Sequence, residues 1–166
     1  PFGTVTPEQA YETNDVILTY RNFGEVTLNG LDLNLAYYPT DEIRLSGNYS
    51  YVSDNFFANL DGIGDIALNA PQHKAKFAAQ IRLPEPGLLL GGQVRYNDAF
   101  PMNSGVYVGT VESFTVLDLH LSYDLPVRYD LQLRLKADNI LDNRHREFVG
   151  APEIGRLVYT ELGVYF

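Results

Sequence analysis

The clearest indication of the fold class is Leu157-Val-Tyr-Thr-Glu-Leu-Gly-Val-Tyr-Phe166, the last ten residues of the sequence. Side chains of a β-strand point alternately to opposite sides, so this stretch has an apolar face and a mixed face. In a soluble domain such an exposed ending would fray or aggregate. In a membrane barrel the apolar face contacts lipid, the mixed face contacts the lumen and the end aromatic lies at the interface. The apolar face consists of Val158, Thr160, Leu162, Val164 and Phe166.

The rest of the chain repeats this alternation and predicts an all-β antiparallel fold. Seven further strands are predicted, at 15–21, 26–38, 43–53, 73–83, 88–97, 114–123 and 130–139. After the first Gly24 turn, the connections alternate between short ones (39–42, 84–87, 124–129) and long ones (54–72, 98–113, 140–155). Outer-membrane barrels join their strands in this way, with short periplasmic turns and longer extracellular loops. The pattern therefore predicts about eight strands of a transmembrane β-barrel.

Composition excludes several classes of function. No run approaches the roughly 18 apolar residues of a transmembrane helix. The absence of Cys excludes a disulfide scaffold, a Cys-ligated zinc site and a thiol nucleophile. A formal net charge of −9 argues against a nucleic-acid partner. Asp118, His120 and Ser122 are spaced two apart on one strand face, too far for contact between a nucleophile and a base. We therefore predict no enzyme, no metal site and no cofactor.

The polar face of the predicted strands carries most of their charge. We predict that these side chains line the lumen, where they pair with one another, with a plug or with an anionic ligand. A soluble antiparallel sandwich would also alternate, but here charge is nearly absent from the centres of the opposite face. The predicted lumen-facing residues are Lys74, Lys76, Arg82, Arg95, Asp118, His120, Arg134 and Lys136.

Several segments resemble the C-terminal part of the barrel in TonB-dependent outer-membrane receptors. They are residues 22–33 (NFGEVTLNGLDL), 38–51 (YPTDEIRLSGNYSY), 68–74 (LNAPQHK), 138–143 (DNILDN) and the final strand. Asp32 stands where many members have Glu, and Leu141 stands where many have Phe. The resemblance implies that residues 1–166 form one domain fragment of a roughly 22-stranded barrel. The plug domain and the remaining strands are then expected elsewhere, in the same protein or in another chain.

The resemblance also implies a function and a location. Such receptors lie in the outer membrane of Gram-negative bacteria, in contact with its lipid. They import a scarce ligand, of the iron–siderophore, cobalamin or glycan class, with energy supplied by the periplasmic TonB complex acting on the plug. A final aromatic strand resembles the signal that the barrel-assembly machinery reads. The residues expected to close the barrel and to carry this signal are Val158, Leu162, Val164 and Phe166.

Aromatic residues in the long connections are the candidates for ligand contact. Apolar side chains at outer loops need a partner, which is either a ligand or another loop. Arg146 adds a polar group that could fix an orientation. The predicted ligand-contacting residues are Phe56, Phe57, Phe100, Tyr107 and Arg146.

Two alternatives remain open from the sequence. The first is a complete eight-stranded outer-membrane barrel with a structural or adhesive role, because eight strands can close around their own side chains. The second is a soluble β-sandwich that acts as a binding module.

Overall fold

A computed structural model of the chain describes residues 25–60, 64–127 and 130–165. Within these ranges it contains eleven β-strands and no α-helix, and no helix there is long and apolar enough to cross a membrane. The strands are β1 (Gly30–Tyr37), β2 (Ile43–Val52), β3 (Phe56–Leu60), β4 (Gly64–Ala67), β5 (His73–Leu83), β6 (Leu88–Asn97), β7 (Phe100–Ser104), β8 (Tyr107–Val111), β9 (Phe114–Leu125), β10 (Asp130–Asp138) and β11 (Leu157–Tyr165).

Seven of these strands form one antiparallel sheet, in the order β1-β2-β5-β6-β9-β10-β11. Each strand pairs with its neighbours over most of its length, so the predicted all-β antiparallel architecture is confirmed. The predicted bounds 73–83 and 88–97 match β5 and β6. The predicted strand 15–21, the Gly24 turn and Phe166 lie outside the described residues.

All three short connections lie at one end of the sheet, the short-turn end. The three long connections lie at the other, the long-loop end, because consecutive strands of the large sheet run antiparallel. Two of the predicted loops contain short hairpins outside the large sheet, β3–β4 and β7–β8. The sequence pattern missed them because strands of four or five residues are too short to show a clear alternation. The third long connection contains one isolated bridge, His145 to Ile154.

The register separates two faces of the large sheet. Paired residues share a face, so one row runs Asn34, Asn48, Lys76, Arg95. We call this the polar face. The opposite, apolar face remains open in the described structure, since Leu35 is 72% exposed and Leu162 61% exposed. No second sheet covers it within the described ranges, which contradicts the soluble sandwich: a sandwich buries its apolar face against another sheet.

Aromatic residues mark both ends of the apolar face. Tyr37 is the last residue of β1, and Tyr123 is close to the end of β9. Both lie at the short-turn end. At the long-loop end, Tyr49 and Tyr51 contact His73, with ring centroids 6.1 and 5.1 Å apart. Aromatic girdles of this kind border the lipid-facing band of membrane barrels.

Candidate functional site at the long-loop end

The long connections pack together over one end of the sheet. Phe100, Met102 and Val111 of the β7–β8 hairpin form a buried cluster, and Val149 from the third long connection packs against it. A hydrogen bond joins the first and second long connections: Asn69 Oδ1 accepts it from the Asn103 backbone N–H at 2.7 Å. Three of the five buried apolar side chains of the described residues, Phe100, Met102 and Val111, therefore lie in a loop hairpin and not between two sheets.

The turn after β10 is fixed by Asn139, which is 3% exposed and has a positive φ of 51°. Its side chain makes two reciprocal bonds of 3.0 Å with the backbone of Asn143. Asn143 Nδ2 in turn donates to the carbonyl of Thr115 on β9. Asn tolerates the left-handed backbone region better than other residues with a Cβ. The DNILDN segment at 138–143 is thus a structural anchor for the third long connection.

Asp118 of β9 ties this turn to the polar face. The residue is 9% exposed, and its carboxylate accepts three hydrogen bonds. The donors are the Asn139 backbone N–H at 2.9 Å, Gln93 Nε2 at 2.8 Å and Arg95 Nε at 3.3 Å. A buried carboxylate with an ionic partner and two further donors is well satisfied. Asp118 therefore acts as a junction between β6, β9 and the loop.

A chain of polar side chains continues from this junction into the loop. Arg95 Nη1 lies 3.7 Å from Glu147 Oε1, which in turn lies 3.5 Å from His145 Nε2. The imidazole of His145 is stacked on Phe114, with ring centroids 4.1 Å apart. His145 is 8% exposed and Phe114 is 3% exposed. The third long connection thus folds over the polar face and covers the end of β9.

An apolar tip projects from the β7–β8 hairpin. Val106 is 90% exposed, Val108 64% and Tyr107 46%. The Tyr107 ring meets Phe148 edge-on at 5.3 Å, and its ring carbons lie 2.8 Å from where a Cβ on Gly150 would stand. A loop tip that presents this much apolar surface is typical of a contact site.

A groove runs beside this tip, between β8 and the segment 144–153. Its volume of about 470 Å³ lies within the range of small-molecule sites. Arg146 Nη2 forms an ion pair of 3.1 Å with Glu153 across it. The groove therefore offers both apolar and charged side chains to a ligand. The groove is lined by Thr110, Glu112, Arg144, Arg146, Phe148 and Glu153, among others.

The predicted ligand-contacting residues fall into three positions. Tyr107 lies at the tip and Arg146 lines the groove, and Phe148 links the two positions because it contacts the Tyr107 ring and also lines the groove. Phe56 and Phe57 lie on β3 of the other hairpin, and Phe56 is 44% exposed. Phe100 is 6% exposed and belongs to the loop core. Ligand contact stays a prediction for the accessible residues.

Sequence reasoning missed the residues that hold this end together. No structural role was predicted from the sequence for Met102, Asn139 or His145, although all three are buried in the structure. For Asn139 a signal was present, because Asn beside a predicted strand end favours a turn with positive φ. No local pattern reveals the stacking of His145 on Phe114, which are 31 residues apart.

The eight residues predicted to face the lumen share the polar face in the structure, by register. His120 lies flat over Gly91, where its ring fills the space that a Cβ would need. Glu161 of β11 pairs with Arg134 Nη1 at 3.7 Å and with Lys136 Nζ at 3.8 Å. The described strand β11 places Val158, Leu162 and Val164 on the apolar face. That the polar face lines a lumen, and that β11 closes a barrel, remain predictions.

Comparison with known protein families explains this architecture. The family model described as TonB dependent receptor-like, beta-barrel matches residues 3–140. The chain belongs to the TonB-dependent receptor family. Its proteins lie in the outer membrane of Gram-negative bacteria and act as receptors and transporters, not as enzymes. The predictions of family, location and non-enzymatic character are confirmed.

Individual relatives agree with the assignment. The ferrioxamine B receptor of Salmonella typhimurium is 27% identical over 133 residues, which are 76% of this chain and 19% of that receptor. The siderophore receptor PiuA of Acinetobacter baumannii is 19% identical with a TM-score of 0.61, over 82% of this chain and 21% of PiuA. A mutant of the ferric enterobactin receptor PfeA of Pseudomonas aeruginosa is 18% identical with a TM-score of 0.59, over 81% and 22%.

The chain thus spans about a fifth of the length of these relatives. The seven-stranded sheet is part of a larger barrel, and β1 and β11 are its two edges in the described residues. The likeness to part of a larger barrel goes against the alternative of a complete eight-stranded barrel.

Proposed function

We propose that this chain forms part of the wall and three outer loops of a receptor that imports a ferric siderophore across the outer membrane. The observation that carries the proposal is the accessible site of Tyr107, Phe148 and Arg146 on a chain of this family. The three relatives cited above are described as receptors for ferrioxamine B, for siderophores and for ferric enterobactin. Cobalamin and glycans, the other ligand classes that the family resemblance implies, have no such support.

The remaining parts of the transport cycle belong to the same proposal. The apolar face would contact outer-membrane lipid, and the polar face would surround a plug domain. The TonB complex would act on that plug from the periplasm, and the barrel-assembly machinery would insert the barrel. Phe56 and Phe57 on β3 and Tyr107 and Arg146 beside the groove would contact the ligand, while Phe100 would hold the loops from inside.

Uptake of radiolabelled iron tests the proposal directly. The receptor that contains this chain is expressed in cells that lack their own siderophore receptors, with and without a functional TonB protein. Ferrioxamine B and ferric enterobactin are supplied separately, and cyanocobalamin serves as a third substrate. We expect TonB-dependent accumulation of iron from one siderophore class. Uptake of cobalamin alone, or iron uptake that does not need TonB, would contradict the proposal.

A double variant then tests the site. Tyr107→Ala combined with Arg146→Ala should weaken siderophore binding by about tenfold or more, since an aromatic contact and a charged contact are lost together. Val127→Ala is the matched control, because Val127 is also exposed but lies at the short-turn end. Equal affinity in the double variant and the control would remove these residues from the site.

A further inference from the structure

The three long connections carry a strong excess of negative charge. Residues 54–72 contain three Asp, and residues 98–113 contain one Asp and one Glu, but neither range contains Lys or Arg. Residues 140–155 contain one Asp and two Glu, against the cations Arg144 and Arg146. The connections together therefore hold eight carboxylates and two cations. Most of the formal net charge of −9 lies at the long-loop end of the sheet.

Both of these cations are paired with carboxylates of their own connection. Arg146 Nη2 lies 3.1 Å from Glu153 Oε1, and Arg144 Nε lies 3.9 Å from Asp142 Oδ2. Glu112 lines the same groove as the two arginines, is exposed, and forms no ion pair within the described residues. The groove thus offers an open carboxylate beside neutralised guanidinium groups, whose other N–H groups still suit uncharged oxygens of a ligand.

The aromatic rings beside the groove favour the same sign of charge. Phe148 lines the groove, and the Tyr107 ring meets it edge-on with the ring centroids 5.3 Å apart. The face of an aromatic ring carries negative potential and attracts a cation within about 6 Å of its centre. A cationic group of a ligand would therefore be attracted by Glu112 and by these rings, whereas an anionic group would be attracted by neither.

A buried side chain of the groove lacks a hydrogen-bond donor. His145 lines the groove with 5% of its side chain exposed, and its Nδ1 donates to the Asn143 carbonyl at 2.8 Å. In the neutral ring Nε2 is then an acceptor, and it has no hydrogen-bond partner in the described part of the chain. The Glu147 carboxylate, 3.5 Å away, is an acceptor as well. An N–H donor is the group that this part of the site lacks.

We propose that the long connections select their ferric siderophore by charge, with Glu112 as the carboxylate that pairs with a ligand ammonium. The ligand is then a ferric trihydroxamate that carries a free amine. Its three hydroxamates balance the charge of Fe³⁺, so the protonated amine makes the complex cationic. Three catecholates instead leave a ferric complex strongly anionic, and such complexes are disfavoured. This inference rests on the proposed function, because it assumes that the groove receives a ferric siderophore.

The excess charge also acts before contact. Charged loops raise the local concentration of ligands of opposite sign and accelerate their association, and salt weakens this effect. The Debye length is only about 8 Å at physiological ionic strength. The association rate of a cationic chelate should therefore fall as salt is added, and the rate of an anionic chelate should rise.

Three forms of one chelate test the selection on the purified receptor. Ferrioxamine B has a free amine, its N-acetyl derivative is uncharged, and its N-succinyl derivative is anionic. At low ionic strength we expect the amine form to bind about fivefold more tightly than the acetyl form, as for a partly exposed ion pair. The succinyl form should bind more weakly than both, and added salt should reduce the differences. Equal affinities, or tightest binding of the succinyl form, would overturn the proposal.

A matched pair of variants locates the selection. Glu112→Gln keeps the size and the hydrogen-bonding groups of the side chain but removes its charge. It should abolish most of the preference for the amine form over the acetyl form. Glu85→Gln is the control, because Glu85 is also exposed but lies in the turn 84–87 at the short-turn end. If both variants keep the full preference, Glu112 does not recognise the ammonium and the proposal is wrong.

Uptake of the same chelates separates this inference from the transport proposal. If the succinyl form binds as tightly as the amine form and both are imported in a TonB-dependent way, transport stands and selection by charge is wrong. If the amine form binds most tightly but TonB-dependent import does not occur, selection by charge stands and the proposed transport function fails. If the receptor binds none of the three forms and no other ferric siderophore, both proposals are wrong.

Discussion

Asp118 on β9 and Lys76 on β5 lie on the same polar face, with β6 between their strands, yet their surroundings differ. Asp118 is 9% exposed and accepts bonds from Gln93, Arg95 and the Asn139 backbone. Lys76 is exposed and has no carboxylate partner in the described residues. A charge whose partners come from its own chain fixes the fold. A charge that its own chain leaves open is suited to a partner from outside.

The comparison predicts that Asp118→Ala has the largest effect on this segment. The change leaves the Gln93 amide and the Asn139 backbone N–H without their acceptor, while Arg95 keeps Glu147 as a partner. We expect a loss of about 3 kcal/mol in local stability, because leaving a buried donor unsatisfied costs about 1–3 kcal/mol. Hydrogen exchange of residues 139–156 in the receptor measures this loss.

Asp124→Ala is the control for that experiment. Asp124 also lies on β9, but it is exposed and accepts one side-chain bond, from Gln132 at 2.7 Å. It should cost at most about 1 kcal/mol. Equal effects of the two substitutions would mean that burial and hydrogen bonding do not distinguish the two carboxylates.

Asn139 tests whether the loop is held by side-chain bonds or by backbone conformation. Asn139→Ala removes both bonds to Asn143 and also places Ala at a φ of 51°. We expect a loss of about 2 kcal/mol. Asn139→Gly removes the same bonds but tolerates the positive φ, so it should be milder by about 1 kcal/mol. Thermal unfolding of the receptor in detergent measures the stability loss of both variants. If the Gly variant is less stable than the Ala variant, the side-chain bonds and not the backbone conformation hold the loop.

The large sheet was predictable from the sequence because its signal is repeated. Alternation sets the faces, and each short connection fixes which strands are neighbours, so β5 and β6 were predicted to the residue. The hairpins β3–β4 and β7–β8 were not predictable in this way. Their strands are short, and Phe100 and Met102 are buried by contacts with a segment almost 50 residues away. Tertiary packing, not local pattern, forms those strands.

The same distinction applies to the candidate site. The sequence identified Tyr107 and Arg146 because apolar and charged side chains in loops need an explanation. It could not join them to Phe148 and Glu153, since only the fold of the third connection brings these groups together. The cations Lys74, Lys76 and Arg82 were visible in the sequence. That they form no ion pair with a carboxylate of the described residues became visible only in the structure.

Gly150 offers a smaller test of how the loops position Tyr107. Gly150→Ala introduces a Cβ at a φ of 86° and only 2.8 Å from the Tyr107 ring. Gly105→Ala also has a positive φ, of 65°, but meets nothing within 4 Å. Each should cost about 1 kcal/mol in local stability from backbone strain. Siderophore titration should show weaker binding for Gly150→Ala alone, because only that change displaces Tyr107. If both variants bind the siderophore equally, Tyr107 does not contribute to the ligand site.

Glu161→Gln should have the smallest effect, and it tests a carboxylate that pairs with cations at the surface. Glu161 pairs with Arg134 and Lys136, but at 3.7 and 3.8 Å and with 43% of its side chain exposed. Partly exposed pairs of this geometry contribute about 0–1 kcal/mol. Removing the charge leaves Arg134 and Lys136 of β10 without their Glu161 partner. If open cations recruit carboxylates, carbodiimide should now join Lys136 to a new partner, while receptor stability measured by thermal unfolding changes by less than about 1 kcal/mol. If Lys136 is joined to no carboxylate in this variant, the expectation that an open cation recruits a new partner is wrong.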